Sequence, residues 1–373
     1  MSSISSNTMR IGIDARLAGP RHAGIGRYIE ELLKHLFALK TQHEWVVFLG
    51  EKNQLPWLSS FPRVKQVLAP VCHYTLQEQL AMPKIFAREK LDLLHVPHFN
   101  APLLYAGPYV VTIHDLLWHE RRDPTATTLT PWMHAFKHKA YLFVAEMAMR
   151  RAKAVFVPTQ FVKKVVARYV DAQRITVTPE GVADAYVHAP LVKESPFPYP
   201  YVLYVGSLYP HKNVPVIVRA LASLPNMQFV VISGRSVFQE SFFTLVKKMG
   251  VENRVHMLGY VPDTDAARIM QSAVALIQPS KSEGFGLSGV EAMAAGTPVI
   301  ASDIDVFHEV YKDAAAYFNP DDASALAKQV RGLLVPAWRK TAIRRGKTIA
   351  KTYSWKTMAD QTLSAYQKVR SSQ

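Results

Sequence analysis

The chain has 373 residues, 49% of them apolar, and a formal net charge of +15. It is long enough for two domains, and no apolar run approaches the roughly eighteen residues that span a bilayer, which excludes a helical membrane protein. Its single cysteine, Cys72, excludes an intrachain disulfide and a thiolate metal cage, fits a reducing cytoplasm, and reads as a half-buried loop thiol rather than a nucleophile.

Met1 to Arg10 is polar, has no signal-peptide apolar segment and reads as a disordered leader. Arg10 to Asp14 alternates towards a strand. A loop with Gly24 and Gly26 follows, and then a helix from Ile29 to Leu39, carried by Ile29, Leu32, Leu33 and Leu36. A strand, glycine loop and helix opening a domain make either a phosphate-facing turn or a plain flexible loop. The spacing is not Gly-x-Gly-x-x-Gly, which argues against a nicotinamide cofactor.

Trp45–Leu49, Leu91–Pro97 and Tyr109–Ile113 read as strands. His114 stands at the carboxyl end of the last, where open α/β sheets bind ligands. A neutral imidazole there can serve a sugar hydroxyl, or be purely structural. His95 and His98 are further pocket candidates without a firm role.

Thr130 to Ala152 is helical and basic. Its cations, with Lys153, Lys163, Lys164 and Arg168 beyond it, form a solvated helix face, a membrane-surface patch or a nucleic-acid patch. A strand at Ala154–Pro158, a helix at Phe161–Tyr169, a strand at Arg174–Thr178 and a turn through Glu180 complete the first half. The Pro-rich, aromatic run from Tyr186 to Tyr201 is extended and reads as an interdomain linker.

A second α/β unit begins with a strand at Tyr201–Val205. The loop Gly206-Ser207-Leu208-Tyr209-Pro210-His211-Lys212-Asn213 leads into an apolar helix ending near Leu224. A lysine just before a helix can reach a diphosphate as a point charge, or be an ordinary surface side chain. Gln228–Ile232 and Val255–Leu258 are strands, the latter followed by Tyr260 and Val261. Further on, Asp322–Leu334 and Trp355–Val369 read as helices.

Between these lies the most informative stretch, Pro279 to Ser302. An apolar strand, Ala273–Ile277, precedes it. Gly284-Phe285-Gly286 makes a turn, Leu287 to Ala295 form a helix, Gly296 ends it, Pro298 blocks continuation, and Val299–Ala301 is the next strand. The glycines let backbone N–H groups approach a ligand, and the helix start favours phosphate. Glu283 sits just before the helix and Glu291 inside it, and eight residues of helical rise would separate them by roughly 12 Å with about 80° of net rotation. That is too far to share one reacting atom. It suits hydroxyl groups at the two ends of a long phosphorylated ligand, as in a nucleotide sugar.

This stretch resembles the retaining glycosyltransferases of family 4, whose Glu-x7-Glu signature matches Glu283 and Glu291. The resemblance implies a GT-B fold: two Rossmann-like doubly wound domains facing each other across a cleft, with the last helix crossing back to the first domain. The boundaries implied are 1–190 for acceptor binding, 191–354 for the nucleotide sugar and 355–373 for the crossing helix. It further implies that Glu283 contacts the donor-sugar hydroxyls and Glu291 the ribose, with Gly284, Phe285, Gly286 and Leu287 holding hexose and diphosphate through backbone N–H groups. Gly24 and Gly26 would pack near the diphosphate and acceptor, His114 would face the sugar, and backbone at Tyr260 and Val261 would hold the base.

The family pattern around Gly206 implies that Lys212 pairs with phosphate. Some members carry Arg where this chain has Ser207 and His211, which leaves Lys212 more of the cationic task. Glu180 replaces an Asn common in the family. The reaction implied is retaining hexosyl transfer from a nucleoside diphosphate sugar to a hydroxyl of a glycan or lipid-linked acceptor, without a metal cofactor. Asp303-Ile304-Asp305 resembles an Asp-x-Asp metal motif but is not required. The opening segments look like those of bacterial mannosyltransferases, so GDP-mannose is the leading donor. The setting expected is cytoplasmic, with the inner membrane face as a candidate surface and no nucleic-acid partner. Two rivals remain: a nucleotide-sugar epimerase or hydrolase on the same fold, and a catalytically dead basic protein that binds polyanions.

Overall fold

The computed structural model describes residues 8–117, 131–234 and 237–371. Among these, residues 8–117, 131–179 and 355–371 form one compact unit, and 180–234 with 237–354 form a second. The first unit therefore gives way at Pro179, earlier than the expected boundary at 190. The leader up to Asn7 and the expected helix start at Thr130 lie outside the described residues.

The first unit holds strands β1 (Arg10–Asp14), β2 (Glu44–Leu49), β3 (Val64–Leu68), β4 (Leu93–Val96), β5 (Tyr109–Thr112), β6 (Val155–Val157) and β7 (Ile175–Val177). They form one parallel sheet in the order β3-β2-β1-β4-β5-β6-β7. Helices cover its faces, so central strands are apolar on both sides; Val46, Val47 and Phe48 are all fully buried. The helices are α1 (Ala23–Ala38), α2 (Leu76–Arg88), α3 (Pro131–Arg151) and α4 (Gln160–Val166).

Ile29, Leu32, Leu33 and Leu36 form the buried stripe of α1, as their spacing requires. The helix starts at Ala23 rather than Ile29, so Gly24 and Gly26 lie in its first turns and not in a loop. A Cβ on Gly26 would stand 2.0 Å from the Gly19 carbonyl oxygen, so this glycine permits a close backbone approach. Cys72 is exposed, not half-buried.

The second unit holds β8 (Tyr201–Val205), β9 (Gln228–Ile232), β10 (Val255–Met257), β11 (Ala275–Gln278), β12 (Val299–Ser302) and β13 (Ala315–Phe318). Its sheet is also parallel, in the order β10-β9-β8-β11-β12-β13. Its helices are α5 (Asp184–Val187), α6 (Pro215–Ala220), α7 (Gln239–Lys248), α8 (Asp263–Ser272), α9 (Leu287–Ala295), α10 (Asp305–Tyr311), α11 (Ala323–Gly332) and α12 (Pro336–Ala350).

The expected linker is part of this unit. Val192 N–H donates to Gln271 Oε1 at 3.0 Å, and Tyr199 stacks on His256 with ring centroids 5.0 Å apart. Side-chain and ring contacts replace the free extended chain that its prolines suggest. The chain then returns to the first unit as α13 (Trp355–Ser371), which packs on α1 and buries Met358, Thr362 and Tyr366. Among the described residues no helix is long and apolar enough to cross a membrane.

Candidate active site

Strand order reverses between β8 and β11, and the loops leaving those two strands meet there. Such a switch point is where open parallel sheets bind ligands. Lys281 N–H donates to the His211 carbonyl at 2.8 Å, tying one loop to the other. Asn213, held in the left-handed region at φ 54°, donates through Nδ2 to the carbonyls of Pro279 (3.1 Å) and Pro320 (2.7 Å). The lysine just before Asn213 is thereby aimed across the loops.

Lys212 Nζ donates to Glu283 Oε1 at 2.7 Å, and Ser280 Oγ donates to the same oxygen at 2.8 Å. These two charged residues, 71 apart in sequence, form an ion pair at the strand ends, with 23% and 12% of their side-chain surface open to solvent. A lysine beside a carboxylate in a partly accessible loop can exchange that partner for another anion.

Helix α9 starts at Leu287, so Glu283 sits on the loop before it. That is where the sequence puts both, although helical rise applies only from Leu287 onward and not over the whole Glu283–Glu291 span. Gly286 caps α9 at φ 92° with no side-chain cap bond. Gly289 N–H already donates to the Gly286 carbonyl at 3.0 Å, and the N–H groups before it, at the positive end of the helix, suit an anionic ligand. A Cβ on Gly286 would stand 2.2 Å from Tyr311 Oη and 2.7 Å from Phe307 Cε1, so only glycine fits. Tyr311 donates to the Gly286 carbonyl at 2.6 Å, which fixes the turn. Burial, with Glu283 nearby, raises the Tyr311 phenol well above its ordinary range and keeps it a donor. Glu291 lies on the inner side of α9 and is 3% exposed.

The remaining candidates are more scattered. The Ser207 carbonyl accepts from Tyr204 Oη at 2.6 Å, and His211 stacks on Tyr209 with centroids 5.9 Å apart. Tyr260 is 69% exposed between β10 and α8, with Val261 next to it. Asp303 accepts from His308 Nε2 at 2.6 Å, and among the described residues no three His, Cys, Asp or Glu side chains are grouped to hold a metal. Glu180 is buried at 7%.

His114, Gly24 and Gly26 belong to the first unit. The His114 ring meets Tyr28 edge-on at 4.6 Å, and its Nε2 lies 3.2 Å from the Pro97 carbonyl. Of the basic cluster, Arg151 is turned onto the carbonyls of Leu103 and Tyr105. The first sheet also carries a charged network that sequence reading missed. Arg16 binds Asp14 at 2.6 Å and Glu78 at 2.8 Å, all three side chains being at most 4% exposed. Burial raises both carboxyl pKa values, but Arg16, and His73 at Glu78, outweigh it and hold both below the usual range.

The family description "Glycosyltransferase Family 4" matches residues 22–186, and "Glycosyl transferases group 1" matches residues 192–347. The chain belongs to the family 4 glycosyltransferases. This glycosyltransferase is similar to the O-antigen chain mannosyltransferase B of Escherichia coli, 27% identical over 92% of this chain and 95% of that protein. Its fold is that of sucrose-phosphate synthase from Thermosynechococcus elongatus, with TM-score 0.78, 21% identity and coverage of 98% and 100%. It is also that of Anabaena HepE solved with UDP-glucose, with TM-score 0.75, 19% identity and coverage of 96% and 100%. These likenesses agree with the GT-B architecture of two Rossmann-like domains.

Proposed function

We propose that this glycosyltransferase moves a hexose, with retention at the anomeric carbon, from a nucleoside diphosphate sugar to a hydroxyl of a glycan or lipid-linked acceptor. GDP-mannose is the donor we favour. The single observation carrying the reading is the Lys212–Glu283 pair at 2.7 Å where the β8 and β11 loops meet, in front of a helix that starts without a side-chain cap. The likeness to the Escherichia coli O-antigen chain mannosyltransferase B and to HepE solved with UDP-glucose supports the donor class.

In this mechanism Lys212 takes the diphosphate, releasing Glu283 to accept from donor-sugar hydroxyls, and Glu291 holds the ribose. As the glycosidic bond breaks, negative charge grows on the leaving diphosphate. Lys212 and the Gly284–Leu287 N–H groups stabilise it there without reorganisation. The leaving oxygen takes the acceptor proton on the same face. Tyr260 and Val261 complete the donor surface of the second unit, Ser207 and His211 contribute its polar edge, and no metal is needed.

A melting panel with GDP-mannose, UDP-glucose and ADP-glucose tests the donor, since a ligand at 100 times its Kd stabilises by about 2.7 kcal/mol. Only the true donor should raise the melting temperature fully. Donor turned over without acceptor would instead support the hydrolase or epimerase reading. The anomeric configuration of the product, read by NMR, tests retention.

A further inference from the structure

Residues 323–359 hold nine Lys and Arg and no Asp or Glu, in a chain with 44 such cations in all. Most of this segment is α11, the turn after it and α12. Some of its cations work inside the second unit. Arg339 donates to the Val274 carbonyl at 2.6 Å and the Ala273 carbonyl at 2.9 Å, and Arg345 pairs with Asp313. Others do not. Lys340, Arg344 and Lys351 are exposed, make no ion pair among the described residues, and are spaced by four and seven residues, whereas Lys347 lies across the end of α9, where a Cβ on Gly296 would stand 3.0 Å from its Cε. That spacing is one helical stripe, and like charges along a stripe destabilise a helix unless something anionic covers them.

The turn at the head of this helix is apolar and faces water. Leu334, Val335 and Trp338 are 54%, 47% and 63% exposed, while neighbouring Leu333 fills the core at 6%. The turn is ordered by bonds from Val335 N–H to the Gly332 carbonyl and from Trp338 N–H to the Val335 carbonyl, both 3.1 Å. A Cβ on Gly332 would stand 3.0 Å from the Trp338 ring, so the indole lies over the end of α11. The inner face of α12 is committed to α9, where a Cβ on Gly346 would stand 3.1 Å from Met293 Cγ. Lys340, Arg344 and Lys351 therefore stay on the outer side of α12.

We propose that the α11–α12 turn and the outer face of α12 form a docking surface for an anionic lipid bilayer. Leu334, Val335 and Trp338 enter the headgroup layer, and the Lys340–Lys351 stripe lies over lipid phosphates. The charge is complementary to such a surface, and tryptophan favours the interface between headgroups and acyl chains. The exposed aliphatic pair selects a bilayer over a nucleic acid, whose phosphate backbone has no layer to receive it. This proposal is independent of the donor reading.

The test is co-sedimentation of the full chain with vesicles of phosphatidylglycerol and phosphatidylcholine, or of phosphatidylcholine alone. Binding is expected only to the anionic vesicles, weakening with salt. Lys340→Glu with Arg344→Glu should lower partitioning at least about 25-fold, from roughly fivefold per cation lost. Leu334→Ser with Trp338→Ser should remove the part of binding that survives high salt. Melting curves check folding, and Lys340→Ala with Lys351→Ala serves if either double variant unfolds. Four results would overturn the proposal: no binding, equal binding by wild type and variants, tighter binding to a DNA duplex, or self-association of the chain that the Trp338 variant abolishes.

Discussion

At the end of β1, where the first sheet reverses its strand order, Asp14 and Arg16 are sealed from water together with Glu78 of α2. After β8 and β11, at the matching point of the second sheet, Lys212 and Glu283 keep 23% and 12% of their side-chain surface open. The same topology thus carries charge for two purposes. A buried triad whose every charge is met by hydrogen bonds holds a loop in place. A half-open pair beside a glycine turn leaves its cation available to a ligand. Burial, more than the presence of charge at a strand end, distinguishes the two, and under the proposed function it separates scaffold from chemistry.

Removing Arg16 is the strongest way to break this contrast. Arg16→Met would leave two buried carboxylates without their cation and should cost about 3–5 kcal/mol, measured by denaturant unfolding. A wild-type midpoint would mean the triad is not structural. Next comes Gly286→Ala, which places a methyl group 2.2 Å from Tyr311 Oη at a φ of 92°. Overpacking and backbone strain together should cost about 2–3 kcal/mol and abolish nucleotide-sugar binding. Retained binding would remove this turn from the site.

Acid should sharpen the contrast further. His95 is fully buried, with Nδ1 2.6 Å from Tyr366 Oη and Nε2 2.8 Å from Thr112 Oγ1, and burial with His114 nearby lowers its pKa to about 3. The unfolded chain takes up this proton near pH 6.5, the folded one only near 3. Its contribution is therefore complete above pH 6.5 and is lost as pH falls towards 3, at about 1.4 kcal/mol per pH unit. His98, lowered by burial and its neighbouring histidines, adds to the same fall, and Asp14 and Glu78 add to it below about pH 4.5. Calorimetric scans from pH 7 to 5 should show the first unit losing stability, with a shallower slope in His95→Gln. An unchanged slope would contradict a neutral buried His95. The smallest stability effect is expected at the open pair: Lys212→Ala should cost no more than about 1 kcal/mol. The same variant should lose the donor-induced rise in melting temperature.

Much of this was legible in the chain. The central strands are buried on both faces and read as unbroken apolar runs, and α9 ends where Gly296 and Pro298 place its end. The Glu283–Glu291 stretch was readable because its parts are contiguous. Arg16 and Glu78 are 62 residues apart, joined only by the fold, and α2, which brings Glu78, carries an internal Pro83 that disguises the helix. The start of α1 was misread because two glycines argue against a helix, whereas Gly26 is needed for its approach to Gly19. The run after Tyr186 was misread because proline content reports extension and is silent on what the extended chain packs against.

Calorimetric titration of GDP-mannose, UDP-glucose and ADP-glucose into wild type, Lys212→Ala and Glu291→Gln tests the central claim most directly. The expected result is saturable binding of one nucleotide sugar by wild type. Lys212→Ala should weaken it at least about tenfold, as for loss of a charge-assisted hydrogen bond, and Glu291→Gln should weaken it too, with both variants folded. Undiminished binding by both variants, or no binding of any of the three by wild type, would contradict it.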